Sequence, residues 1–100
     1  SRAAYTFVSP NPTVFGASLR ALDADARDII GFTGEGVLVD RVIVGTQAEK
    51  AGLKVFDVIV RVNGVVATSP QLVVRASQEN RRTELLVQRK GATRVVILER

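Results

Sequence analysis

Gly36-Val37-Leu38-Val39-Asp40-Arg41-Val42-Ile43-Val44 is a run of β-branched and apolar residues that opens on a glycine and stops at Gly45. Composition of that kind favours an extended strand. Gly45-Thr46-Gln47-Ala48-Glu49-Lys50-Ala51-Gly52-Leu53-Lys54 follows it. Thr46 and Glu49 stand three apart, the spacing of a capping box: the Thr46 hydroxyl accepts from the Glu49 amide while the Glu49 carboxylate reaches back to the Thr46 amide. Gly52 ends that helix after about one and a half turns, and so short a helix persists only if Ala48, Ala51 and Leu53 pack against something. Asp57-Val58-Ile59-Val60-Arg61-Val62 reads as the next strand, and Asn63-Gly64 tolerates the positive φ of a tight turn into Val65-Val66. Strand, stub of helix, strand and hairpin therefore follow within thirty residues.

Working outward toward the N-terminus, Val14 to Leu22 alternates, with Phe15, Ala17 and Leu19 on one face and Ser18 and Arg20 on the other. That is the pattern of a half-buried strand. Asp23 is placed to cap a short helix with Ala26, Ile29 and Ile30 on its apolar side, Gly31 to end it, and Gly34 and Gly36 to turn the chain. Residues 1–13 are polar and broken by Pro10 and Pro12, with Tyr5-Thr6-Phe7-Val8 the one candidate edge strand, so they are expected to form a weakly ordered arm ahead of one domain over 14–100. A start at Ser1 rather than Met suggests a piece of a longer chain.

Toward the C-terminus, Ser69 before Pro70 supplies an N-cap and a first-turn proline for a helix to about Glu79, with Leu72, Val73 and Ala76 on its apolar side and Asn80 as a left-handed terminator. Thr83 to Arg89 and Thr93 to Glu99 flank Lys90-Gly91-Ala92 as a terminal hairpin. The elements lack regular βαβ alternation. They predict an α+β domain, an antiparallel five- to six-stranded β-sandwich or partial barrel capped by two to three short helices.

Composition narrows the chemistry. The 100 residues include no cysteine and no histidine, which removes thiol nucleophiles, a Ser-His-Asp triad and thiolate or imidazole metal sites, and no cofactor is called for. Asp23, Asp25 and Asp28 cluster at a helix start, where acids suit the helix dipole better than acid–base work. Gly31, Gly34 and Gly36 precede a strand, whereas a phosphate-cradling loop precedes a helix. No apolar run approaches the ~18 residues of a membrane span. Net charge is +4, with 9 basic and 4 acidic side chains in residues 51–100 against 5 and 6 in residues 1–50. The basic residues are scattered, without interleaved aromatics, so solvated surface charge explains them better than nucleic acid.

The central stretch, Ser69-Pro70 and the Arg89-Lys90-Gly91 turn together strongly resemble a PDZ domain of the bacterial HtrA/DegP serine-protease type, over about Val14 to Arg100. The resemblance implies a non-catalytic peptide-recognition module within a parent serine protease, located outside the cytoplasm. Its carboxylate-binding segment corresponds to Phe15-Gly16-Ala17. A peptide would add as a strand along Ala17, Ser18, Leu19 and Arg20, and its last side chain would enter a pocket made by Phe15, Ala17, Leu19 and the helix face of Leu72, Val73 and Ala76. Replacing Gly16 with a bulky β-branched residue is expected to abolish binding and spare the fold. The sequence departs from the family pattern at Val55-Phe56, where Pro-Gly is usual, at Gln47, a frequent Pro, and at Ser9 to Thr13, which lacks a Lys or Arg to hold a carboxylate. The partners implied are protein C-termini and unfolded segments, bound at about micromolar strength. Oligomerisation of the parent stays open, and the alternative is an assembly domain of a secretion component or site-2 membrane metalloprotease.

Overall fold

The computed structural model describes residues 11–100. The Tyr5 to Val8 strand lies outside the described residues; of the arm expected over 1–13, residues 11–13 are described and lie against the domain. In chain order the elements are β1 (Thr13–Val14), β2 (Ala17–Ala21), α1 (Ala24–Ile30), β3 (Val37–Val42), α2 (Gln47–Lys50), β4 (Val58–Val62), β5 (Val65–Val66), α3 (Pro70–Glu79), β6 (Arg82–Arg89) and β7 (Ala92–Glu99). All pairings are antiparallel, in the order β1-β2-β3-β4-β6-β7 with β5 on β4. Seven strands thus replace the five or six expected, the extra ones being the two-residue β1 and β5.

The caps form where short-range chemistry places them. Asp23 accepts from the Ala26 amide at 2.8 Å, and Gly31, left-handed at φ 71°, closes α1. Ser69 accepts from the Leu72 amide at 3.1 Å, with Pro70 in the first turn. Thr46 accepts from the Glu49 amide at 3.5 Å, but the return half of the box is displaced by one residue: the Glu49 carboxylate takes the Gly45 amide at 2.8 Å, because the Thr46 amide is turned to the Ile43 carbonyl. Asn80 is extended at φ −134° rather than left-handed, its side-chain amide donating to the Ala76 carbonyl at 3.0 Å.

Two apolar clusters lie on opposite faces of the sheet. The larger one joins Ala17, Leu19, Val37, Val39, Ile59, Val62, Val73, Leu85, Val87 and Leu98 with Ala48 and Leu53 from the α2 segment. The smaller one seats Ala26 of α1 on Leu22, Leu38 and Val58. Strand alternation sends neighbours to opposite faces, Val37 and Ile59 to the larger cluster and Leu38 and Val58 to the smaller, while register shifts interrupt β2–β3 and β4–β6. Ile29, expected on the apolar side of α1, is 77% exposed, since that helix presents only Ala26 and part of Ile30 to the sheet. β3 likewise ends at Val42, leaving Val44 in solvent.

Candidate functional site

Val14-Phe15-Gly16-Ala17 is a two-residue hairpin: Val14 pairs with Ala17, and Phe15 and Gly16 have φ of 53° and 97°. Two positive φ values in succession define a type I′ turn, with Phe15 standing where Gly or Asn is the usual choice. The turn is held from below. The Phe15 carbonyl accepts from the Ala48 amide at 2.9 Å and the Gly16 carbonyl from the Ile43 amide at 3.0 Å, so α2 and the end of β3 fix its orientation. Neither the Phe15 nor the Gly16 amide donates to a described residue. A short, rigid turn with its carbonyls anchored and two adjacent N–H groups unspent is suited to an anion.

Gly16 is required by the fold as well. A Cβ there would collide with the Thr46 side chain and sit at a φ that L-residues avoid. A bulky β-branched residue at 16 therefore strains the turn and its seat on α2, contrary to the expectation that the fold would be spared.

The remaining sequence-derived residues fall on both sides of a cleft between β2 and α3, which pack together. Ala17 and Leu19 are fully buried and share a cluster with Val73, while Ser18 is half-buried and Arg20 exposed. Leu72 and Ala76 are half-buried at the cluster edge and also line an open depression of 380 Å³ with Val62, Asn63 and Val65. Arg20 is ion-paired with Asp23 at 3.4 Å.

Two contributors escaped the sequence. The Arg100 guanidinium stands 5.5 Å from the centre of the Phe15 ring, and its Nε donates to the Ser77 carbonyl of α3 at 2.8 Å. A cation thus reaches the turn from the far end of the chain, although residues 9–13 have none. Asp57 accepts from the Lys54 amide at 2.9 Å and also receives Arg89 through Nε at 2.6 Å and a second nitrogen at 2.7 Å. Hydrogen bonding to that carboxylate raises the Arg89 pKa above its ordinary value. Pairs 32 residues apart carry no local signal.

The family model for the PDZ domain matches residues 38–89, more than half of the chain, and the chain belongs to that family. The serine protease HTR4 of Bos taurus is 46% identical over 61 residues, which are 61% of this chain and 13% of that protease. The chain therefore spans a small part of that relative's length. Among solved structures, the HtrA3 PDZ domain bound to a phage-derived ligand, FGRWV, superposes with a TM-score of 0.79 at 20% identity, covering 86% of this chain and 82% of that one. The HtrA-type protease AlgW with a decapeptide gives 0.73 at 20% identity, covering 86% and 28%. The PDZ domain of EpsC from Vibrio cholerae gives 0.62 at 22% identity, covering 88% and 99%. These likenesses concern the fold, an α+β domain with an antiparallel sheet and three helices.

Proposed function

We propose that this domain binds peptide C-termini and unfolded segments by strand addition to β2, with the terminal carboxylate on the Phe15 and Gly16 amides and the last apolar side chain against Ala17, Leu19 and Val73. The observation that carries the reading is the Phe15–Gly16 turn, whose carbonyls are tied to Ala48 and Ile43 while its two amides are unspent among the described residues, beside an apolar seat. Backbone pairing supplies affinity and the seat supplies selectivity. The domain itself does no chemistry on the peptide. It serves as the substrate-recognition or regulatory part of a parent HtrA-type serine protease outside the cytoplasm, a reading supported by the protease relative and the peptide-bound structural neighbours.

The test is an amide NMR titration of the chain with FGRWV as the free acid and as the C-terminal amide. Shifts centred on Phe15 to Arg20 and weakened by amidation are expected. Equal shifts with both forms mean strand addition without end selectivity. No shift with either form at millimolar peptide overturns the reading in favour of an assembly domain, for which the likeness to the EpsC domain is the supporting observation.

A further inference from the structure

The cleft between β2 and α3 is filled by the chain itself. β1 runs antiparallel to β2, with Thr13 opposite Ser18 and Val14 opposite Ala17, and the pairing extends one step further where the Leu19 amide donates to the Pro12 carbonyl at 2.8 Å. α3 packs against β1 as well as β2. This is the edge, and the direction, that an added peptide strand takes. The Val14 side chain is 3% exposed and belongs to the same buried cluster as Ala17, Leu19 and Val73, so it holds the place proposed for a ligand's last side chain. Pro12 accepts from Leu19 but has no N–H to return, so the pairing there is a single hydrogen bond. Outside the cleft, the Asn11 side-chain amide donates to the Asp40 carboxylate at 3.0 Å and fastens the start of the segment.

We propose that Pro12 to Val14 is a tethered ligand: it keeps the β2–α3 cleft closed, and an external peptide binds by displacing it. This rests on the peptide-binding reading above. The tether is two residues long, so its ends are held close at little entropic cost and the segment competes at high effective concentration. The segment is also short, with two paired residues and one bond beyond them, which leaves it displaceable. An external ligand then binds with its intrinsic affinity multiplied by the open fraction. The occupant further indicates the chemistry the cleft accepts: a peptide ending in a residue of about valine's size.

The chain has no cysteine, and Thr13 and Ser18 face each other across the strands outside the fully buried core. The double substitution Thr13→Cys/Ser18→Cys, oxidised, therefore locks the segment down, and reduction releases it. With the free acid FGRWV as probe, the oxidised form is expected to bind at least ~10-fold more weakly than the reduced form of the same variant, while Val14→Ala, which loosens the occupant, tightens binding about 10-fold. In the unaltered chain, the Thr13 and Val14 amides should move toward random-coil shifts as peptide is added. Equal affinity in the oxidised and reduced forms, or Thr13 and Val14 amides that stay put while peptide binds, overturns the tethered ligand and leaves peptide binding standing. Absence of binding in every form, Val14→Ala included, overturns peptide binding itself and the tethered ligand with it.

Discussion

Phe56 has a φ of 75° and is 59% exposed, an aromatic side chain held in a left-handed conformation with little burial to offset it. Such a conformation costs an L-residue about 1–2 kcal/mol, and glycine escapes most of that cost. Phe56→Gly is therefore expected to stabilise the domain by about 0.5–1 kcal/mol, read as a higher denaturation midpoint; a lower midpoint would show that the ring's contacts outweigh the strain. Asp57, the next residue, is the opposite case. Its side chain is 1% exposed and the Arg89 partner 17%, so removing the carboxylate strands a largely buried cation whose second nitrogen also serves the Gly52 carbonyl at 2.7 Å. Asp57→Ala should cost about 3 kcal/mol or more in urea unfolding, and a loss under 1 kcal/mol would refute the pair's structural role. The sequence marks Phe56 only as standing where the family pattern has Gly, the residue that a left-handed conformation favours, and Asp57 looks like the start of a strand until Arg89 has come back to meet it.

At the scale of elements, the two ends of a helix are decided by different physics. Asp23 caps α1, and the Ala26 amide holds its carboxyl below the ordinary 3.8, with burial opposing and Arg20 adding to the effect. A carboxyl depressed in the folded state contributes stability above its unfolded pKa and loses it as pH falls through the folded value. The Ala26 amide shift should accordingly titrate with a midpoint below 3.8, and the titration should vanish in Asp23→Asn, which keeps the cap; a midpoint above 3.8 would show that the cap is not made in solution. α2 is pinned from farther away. The Gln47 side chain both donates to the Glu99 carbonyl (2.6 Å) and accepts from the Glu99 amide (2.5 Å), behaving as one more strand residue at the end of β7. Gln47→Ala should cost about 1–2 kcal/mol, with hydrogen exchange rising first at Glu99 and Arg100; unchanged exchange there would mean the side chain is idle. The caps at Asp23, Thr46 and Ser69, the Asn63-Gly64 turn and the terminal hairpin were all legible in the sequence, because each is settled within four residues. What was not legible needed partners far along the chain: the Gln47–Glu99 clasp, the exposure of Ile29 and Val44, and the seating of residues 12–14 on β2.

For the molecule as a whole, part of the basic charge is spent within the fold. Arg89 is spent on Asp57, Arg61 on the Gly64 carbonyl at 3.1 Å, Arg27 on the Gly34 carbonyl and Arg20 on Asp23. Arg100 differs, because the bonds at the end of β7 carry its guanidinium across α3 to the Phe15 ring, at the mouth of the proposed carboxylate seat. The sequence lacked a cation on the segment before Phe15; the fold brings one from the other terminus. If a carboxylate docks on the Phe15 and Gly16 amides, Arg100 lies near enough to feel it through solvent, and exposed pairs of that kind are worth about 0.2–1 kcal/mol. Arg100→Gln is thus expected to weaken binding of the free-acid peptide about two- to fivefold at low salt, to leave the amidated peptide unaffected, and to lose its effect near 1 M salt, where the screening length falls to about 3 Å. Equal weakening of both peptides would mean that Arg100 acts by packing on Phe15 and Ser77 rather than by charge. In that case the seat reads the peptide's end through backbone amides alone, and selectivity for a free C-terminus should not vary with salt.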